Sequence, residues 1–568
     1  MTTPEPTSRP SARSGIVTAA SLSKRDRTLT MTGVLLALLL SGLDQTIVAT
    51  AGPAIQRDLD IAPALYAWLT TAYLVAAAVM LPIYGKLSDR FGRKPILLTG
   101  VSIFLAGSLM CGISPGSMTL IVSRGVQGLG AAALFTTAFA VIADLYPPAL
   151  RGRYMGLVSG VMGLASVIGP LAGGFITDTF GWHWVFFINL PIGALALWFI
   201  VTTMPRLGIH AAEPLPVDVL GAALLIVSLV PLMIALSLGR VDPSATGDGF
   251  AWSSWQIASM LSIAAVGIVA FTMRERRAPD PILHLELFRN RVVTLGSAAM
   301  FVIGAAFLFG IIFLPLYLVN VTGVSATDAG LAMMPLTLGI VASSIGAGQL
   351  VSRVGHPKLI MLASLAFLAG AFGLLGFTLS PDSTQWSVSV RMLLMGLGVG
   401  PTLPLYTLVM QAASEPRELG VVTATATFSR LLGQVIGLAL FGTLFASALS
   451  HAVTVRASAE LRVLTPEVRV AMGGGGAAGA ISGESGSSVA FDTAAASARV
   501  RAVAPGDDIA LAAVGRMHRA FELAFTDAVT LLFKVGIGLV MLGFLVTALM
   551  PTVELRHTPR ESPAVRLE

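Results

Sequence analysis

Gly85-Lys86-Leu87-Ser88-Asp89-Arg90-Phe91-Gly92-Arg93-Lys94 sets five charged side chains, four of them basic, between two long apolar runs that carry almost none. Ten residues with two glycines suit a tight turn, so the chain leaves and re-enters an apolar phase on one side. An excess of Lys and Arg in short connections marks the cytoplasmic face of a membrane. The stretch therefore predicts two membrane spans joined at that face.

The rest of the composition agrees. Of 568 residues, 55% are hydrophobic and 12% charged, with a mean hydropathy of +0.82, more apolar than a soluble globular chain of this size. The formal charge of +6 would suggest a nucleic-acid partner in a soluble protein. Here the bases collect in short connections on one side, so they report topology, and no nucleic acid is expected. The single cysteine, Cys111, excludes an intrachain disulfide and a cysteine-based metal site, and no metal is expected. A polar start, with Arg25 and Arg27 just before the first span, predicts no cleaved signal peptide.

Apolar runs of roughly twenty residues begin near Met31, Trp68, Ile96, Met118, Tyr154, Trp184, Val217, Trp255, Val293, Ala326, Leu359, Val390, Gly420 and Leu531. The basic connections alternate with connections that hold little beyond Arg57 and Arg240, which predicts fourteen helices with both termini cytoplasmic. A weaker copy of the opening stretch, Gly348 to His356, follows the tenth run with Ser352 in the acidic position. Arg391, Gly396 and Gly398 likewise echo Arg124, Gly128 and Gly130. These echoes predict an all-α polytopic protein of two six-helix halves with two helices between them, and a transport site at their interface. The expected division is a cytoplasmic tail over 1–30, one half over 31–205, two additional helices over 206–275, the other half over 276–550 and a tail over 551–568.

Within the second half, 450–530 reads as a long extracytoplasmic loop. Gly473-Gly474-Gly475-Gly476 and the Gly, Ala and Ser around it cannot bury a core. Beyond it Ile509, Leu511, Val514, Met517, Phe521 and Phe525 recur at helical spacing, predicting an amphipathic helix on the outer face. It either caps a cavity mouth or has no role.

Ionised groups inside spans define the candidate site. A bare carboxylate at Asp44 costs about 2.5 to 3.5 kcal/mol on insertion scales, so it should face a cavity or a partner. The plainer alternative is a hydrogen bond to a neighbouring helix. Arg124 stays protonated and serves as a fixed charge, unless it snorkels to the nearby surface. Arg430, halfway along its span, is expected to line the second-half cavity. Asp328, at the outer end of the tenth span, either attracts a cationic cargo or is a solvated helix-start acid. No phosphate-binding loop, H-E-x-x-H pair or serine elbow is present in the sequence, so an enzyme is not expected.

The pattern G-x-L-x-D-R-x-G-R-K at 85–94 resembles the signature loop between helices 2 and 3 of the major facilitator superfamily. Leu43 to Pro53, Arg124 to Gly130, Gly160 to Gly174 and Gly181 to Gly193 resemble the motifs of its fourteen-helix drug:proton antiporter family, with Ala49, Gly52 and His183 departing from the usual residues. The resemblance implies the major facilitator fold and a proton-coupled antiporter exporting hydrophobic, cationic drugs, driven by the proton gradient with no cofactor. It implies Asp44 and Arg124 in proton coupling. Gly85, Asp89, Arg90, Gly92 and Arg93 with Asp144 would form an inner-gate charge cluster, and Gly169, Pro170, Gly173 and Gly174 an antiporter motif. Expected partners are a small hydrophobic or cationic substrate, protons and the lipid bilayer; a periplasmic adaptor is not evident. A dedicated exporter of one metabolite is the alternative, and a non-transporting sensor a distant third.

Overall fold

The computed structural model describes residues 23–66, 68–146, 148–205, 218–240, 250–279, 281–414, 419–461, 493–503 and 508–553. Its first six spans are built from α1 (Lys24–Asp58), α2 (Pro63–Tyr66), α3 (Trp68–Phe91), α4 (Arg93–Gly112), α5 (Ser117–Leu145), α6 (Pro148–Phe180), α7 (Trp184–Phe187) and α8 (Asn189–Thr203). Then come α9 (Val219–Leu238) and α10 (Trp255–Glu275), joined by a two-residue parallel strand pair, Gly239–Arg240 with Phe250–Ala251. The last six spans use α11 (Arg291–Val321), α12 (Ala326–Val354), α13 (Pro357–Thr378), α14 (Gln385–Val399), α15 (Thr402–Ala412), α16 (Leu419–Leu461), α17 (Thr493–Val503) and α18 (Asp508–Leu549). Fourteen stretches among the described residues are long and apolar enough to cross a bilayer, as the apolar runs predict.

The opening stretch is not a ten-residue turn. Helix α3 continues through it to Phe91, and the chain reverses at Gly92 alone, which takes φ 90° before α4 starts at Arg93. Glycine reaches that backbone region without steric cost, and Arg90 in the last turn of α3 complements the negative end of the helix dipole. Below, this face is called the basic end.

Backbone contacts make the internal repeat explicit. A Cβ on Gly128 would strike the Tyr73 carbonyl, where α5 meets α3; one on Gly396 would strike the Leu336 carbonyl, where α14 meets α12. Gly130 lies against the Phe104 backbone and Gly398 against that of Leu368. Lys94 donates to the carbonyls of Val201 (2.8 Å) and Met204 (2.7 Å) at the end of α8. Lys358 does the same for Ala548 (2.7 Å) and Met550 (2.6 Å) at the end of α18. Each lysine supplies donors to carbonyls that a helix end leaves unpaired.

At the end opposite the basic one, the two halves close on each other. Tyr66 packs on Phe313 with ring centroids 6.1 Å apart. The Asp178 carboxylate in α6 accepts from the Thr327 amide (2.8 Å) and hydroxyl in α12. Gly174 lies on the Ala326 and Thr327 backbone, and Gly330 on the Pro170 carbonyl.

Two helices outrun the membrane. With 43 and 42 residues, α16 and α18 are about 65 and 63 Å long against a hydrocarbon core of about 30 Å. The expected separate amphipathic helix from Ile509 is the first part of α18, because no proline interrupts Asp508–Leu549. Its Phe525 packs on Phe445 of α16 at 5.2 Å, and Arg456 pairs with Asp527. The Gly473–Gly476 run lies outside the described residues.

Replacing Gly128 or Gly396 by Ala should destabilise the purified protein by about 1–3 kcal/mol, since backbone yields less readily than a side-chain tip. Gly515, whose Cβ position is open, is the control. Melting of detergent-solubilised variants followed by intrinsic fluorescence tests this, and equal melting of all three would refute the seam.

Candidate functional site

Two glycine contacts let the helices around Asp44 come together. Gly107 of α4 lies against the Gln127 backbone of α5, and Gly112 against the Phe187 ring. In the space so formed, Asp44 of α1 and Arg124 of α5 are buried, at 0% and 1% exposure. Arg124 Nη1 donates to Asp44 Oδ2 at 2.7 Å and to Gln127 Oε1 at 2.5 Å, while its Nε donates to the Leu69 carbonyl at 2.9 Å. The other carboxylate oxygen, Asp44 Oδ1, accepts from Gln127 Nε2 at 2.8 Å and Asn189 Nδ2 at 3.0 Å. Asn189 also donates to Ser108 Oγ at 2.9 Å, and Ser108 to the Phe186 carbonyl at 2.8 Å. The guanidinium carbon stands 4.6 Å from the Tyr73 ring centroid and 5.9 Å from that of Phe186.

Asp44 and Arg124 are each other's partner, Asp44 also accepts hydrogen bonds from the neighbouring helices through Gln127 and Asn189, and Arg124 does not snorkel. Three donors face one carboxylate, which offsets the desolvation of both charges. Asn189 Oδ1 is buried without a hydrogen-bond partner among the described residues. Gln127 and Asn189 carried no assigned role in the sequence reading, although both lie inside its motif stretches. What singles them out is a polar amide in an apolar run, Gln127 three residues from Arg124 and Asn189 where α7 breaks into α8.

At the basic end, Arg93 Nε pairs with Asp144 Oδ2 at 2.9 Å, and Arg93 Nη1 donates to Ser88 Oγ at 2.7 Å. Ser88 in turn donates to the Gly85 carbonyl at 3.0 Å. These bonds tie α3, α4 and α5 within the first half. Arg90 is exposed and lies over Phe91 at 5.4 Å. The side chain of Asp89 lies outside the described residues, and Ser88 is the partner that sequence reasoning missed.

The Gly169–Gly174 stretch of α6 has two faces. Gly169 and Gly173 lie against Thr46, Thr50 and Ile47 of α1, within the half, whereas Pro170 and Gly174 meet α12 of the other half. In the second half Gly433 and Gly437 of α16 hold the Phe301 and Ala305 backbone of α11 just as closely. Asp328 belongs to the first turn of α12, where Ser325 Oγ accepts from its N–H (3.0 Å) and donates to its Oδ2 (3.1 Å). Arg430 lies in the first third of α16 with its carbonyl against Gly304; it is partly exposed and apart from the Asp44 network.

Fourteen spans in two repeated halves around a buried intramembrane ion pair define a secondary transporter of small molecules. The sequence pattern of the Major Facilitator Superfamily covers residues 34–438, and this chain belongs to that superfamily. Multidrug transporter protein MdtP of Bacillus subtilis (strain 168) is 38% identical over 73% of this chain and 75% of its own length. The tetracenomycin C resistance and export protein of Streptomyces glaucescens is 33% identical over 74% of this chain and 76% of that protein. Among solved structures, a bacterial homolog of the human lysosomal transporter Spinster matches with a TM-score of 0.58 at 16% identity, covering 93% of this chain and 98% of that one. The D-xylose-proton symporter matches at 0.52 and 15%, covering 73% and 90%. The resemblance to multidrug transporters and the fourteen-helix facilitator fold expected from the sequence are both borne out.

Arg124→Gln should cost about 3–5 kcal/mol by leaving Asp44 buried without its counter-charge. Adding Asp44→Asn should recover most of that loss. Denaturant titration of the three purified variants checks this, and a double variant no more stable than Arg124→Gln would refute the coupling.

Proposed function

We propose that this protein exports hydrophobic drugs or toxic compounds across the cytoplasmic membrane in exchange for protons, by alternating access. The observation that carries the reading is Asp44, a titratable group sealed from water between a fixed cation and two amides. Cargo class rests on the relatives, which are described as a multidrug transporter and an antibiotic export protein. Orientation rests on the charge asymmetry: the basic end is cytoplasmic, and so are both termini. The proton gradient alone drives the cycle.

In the outwardly closed form, Asp44 accepts from three donors. Opening the outer end parts α6 from α12 and admits water to the network. A proton on Asp44 then cancels its attraction for Arg124, and the acid needs an acceptor in place of a donor. Asn189 supplies one by turning its amide over, which brings its unpaired Oδ1 to the carboxyl. Return to the inward form restores the ion pair and expels the proton to the cytoplasm. Cargo release outside is thereby tied to proton uptake there.

A cationic cargo, implied by the resemblance, is the second reading. The Tyr73 and Phe186 faces that stack on the guanidinium would equally accept an organic cation beside Asp44 once Arg124 withdraws.

Asp44→Asn should still bind cargo but lose its response to a pH gradient in proteoliposomes; undiminished gradient-driven efflux would sink the proton assignment. An Asp178→Cys/Thr327→Cys pair, oxidised to a disulfide, should stop transport until reductant is added. Turnover with that bond intact would show that the outer end need not open there.

A further inference from the structure

The second half contains a permanent cation with no ion-pair partner among the described residues. Arg430 lies eleven residues beyond the start of α16, about 16 Å along the helix, inside a stretch apolar enough to cross a membrane, where a bare charge costs about 2.5–3.5 kcal/mol even on insertion scales. Arg124, the other deep arginine, has a carboxylate, an amide, a carbonyl and two aromatic faces around it. Arg430 has no hydrogen-bond, ion-pair or aromatic partner among the described residues.

Its surroundings hold further unmet polar groups. Gln434, one turn along the same face of α16, is buried, and its side-chain amide makes no hydrogen bond among the described residues. On the helix opposite, Ser297 Oγ is buried and unpaired, one turn before Phe301, whose carbonyl touches Gly433. The Arg430 carbonyl itself rests on Gly304, so the α11 and α16 backbones are in contact there and leave no room for a guanidinium between them. Helical side chains lean toward their own N-terminus, which for α16 is the basic end: Asn290, opening α11, bonds the Ala413 carbonyl beside it at 2.7 Å. The adjacent face, Phe428, Leu431 and Leu432, packs on the first half. Arg430 is thus a partly exposed donor at the interface of the halves, on the side from which cargo enters.

Asp44 and Arg124 cancel, which among the described residues leaves Arg430 as the unpaired positive charge near mid-membrane. We propose that Arg430, with Gln434 on the next turn, binds an acidic group on the cargo, so that preferred substrates are hydrophobic compounds bearing a carboxylate or similar anion. This rests on the export reading above, specifies its cargo, and favours an anion over a cation at this second site. A guanidinium and an amide on adjacent turns supply the several donors that a carboxylate accepts, and charge-assisted bonds of this kind are the strong ones in a medium of low dielectric.

The test uses the purified full-length protein and three probes that share one ring system: naphthoate, its neutral amide and the cationic naphthylmethylamine. Fluorescence titration near neutral pH should show naphthoate bound tighter than either analogue by about ten- to a hundredfold, the range of one charged hydrogen bond. Arg430→Gln should erase that preference while leaving amide binding intact, and Arg430→Lys should keep part of it. Gln434→Leu, which retains the cation, should lower the preference several-fold and serves if Arg430→Gln does not fold. Naphthoate bound no better than its amide, or a preference unchanged in both Arg430→Gln and Gln434→Leu, would overturn the proposal. In nanodiscs, loss of the naphthoate preference on adding phosphatidylglycerol to phosphatidylcholine would assign the guanidinium to a lipid headgroup and equally overturn it. Failure of the proton reading looks different: Asp44→Asn would then keep gradient-driven efflux while the naphthoate preference stands.

Discussion

An ionised group in the middle of a bilayer has to be answered by another group, and the first half of this molecule is arranged around that requirement. Asp44 is satisfied by Arg124, Gln127 and Asn189, contributed by α5 and α8, with Ser108 of α4 holding the last in place. Among the described residues the corresponding helices of the second half hold no buried carboxylate–arginine pair; Arg391, the echo of Arg124, donates to the Thr378 carbonyl and to Ser383 Oγ. There Phe309, Phe372 and Phe533 of α11, α13 and α18 meet at 5.0 to 5.7 Å. One half therefore holds a buried ion pair, and the other an aromatic core. The repeat lies in the backbone, and the chemistry is in its departures.

Backbone proximity is the second constraint. Between membrane helices there is little hydrophobic driving force, so contact area and close approach decide which pairs stay together. Gly128 and Gly396 fix α5 on α3 and α14 on α12, each inside its own half. The inter-half seam of α6 and α12 uses the same device at Gly174 and Gly330 but adds only a solvent-exposed bond, Asp178 to Thr327. An exposed polar link of that kind contributes about 1 kcal/mol or less. Close seams within each half, with the α6–α12 seam between halves made near the end opposite the basic one, suit rigid-body alternation.

Most of the architecture was legible because membrane insertion imposes simple rules. Apolar length marks the spans, and basic connections mark one face, so thirteen of the fourteen expected starts fall within about a turn or two of a helix in the structure. The start near Leu531 does not, since α18 begins at Asp508. Length rules count the apolar part of a helix and are blind to an amphipathic extension of it. The pairing of Asp44 with Arg124 was also foreseeable from the cost of leaving either bare. Gln127, Asn189 and Ser88 were not, because neutral polar residues bear no comparable penalty and their role depends on the rotation of three helices. Asp178 and Thr327 are 149 residues apart, and nothing local joins them.

The two deep arginines separate two tasks that a single site would confuse. A carboxylate can change its charge and an arginine cannot, so of the two groups only Asp44 is chemically able to take up a proton, while Arg430 keeps its charge. If cargo and proton both competed for Asp44, tight binding of one would impede release of the other. Were an anionic cargo held by Arg430 in the second half, as proposed, coupling need not pass through direct competition. In the proposed cycle it would pass through geometry: protonation would loosen the Asp44–Arg124 pair in the half that meets α16 across the interface, and the halves would part around the cargo. Affinity for the cargo and response to the gradient can then vary independently, as an exporter of chemically diverse compounds requires.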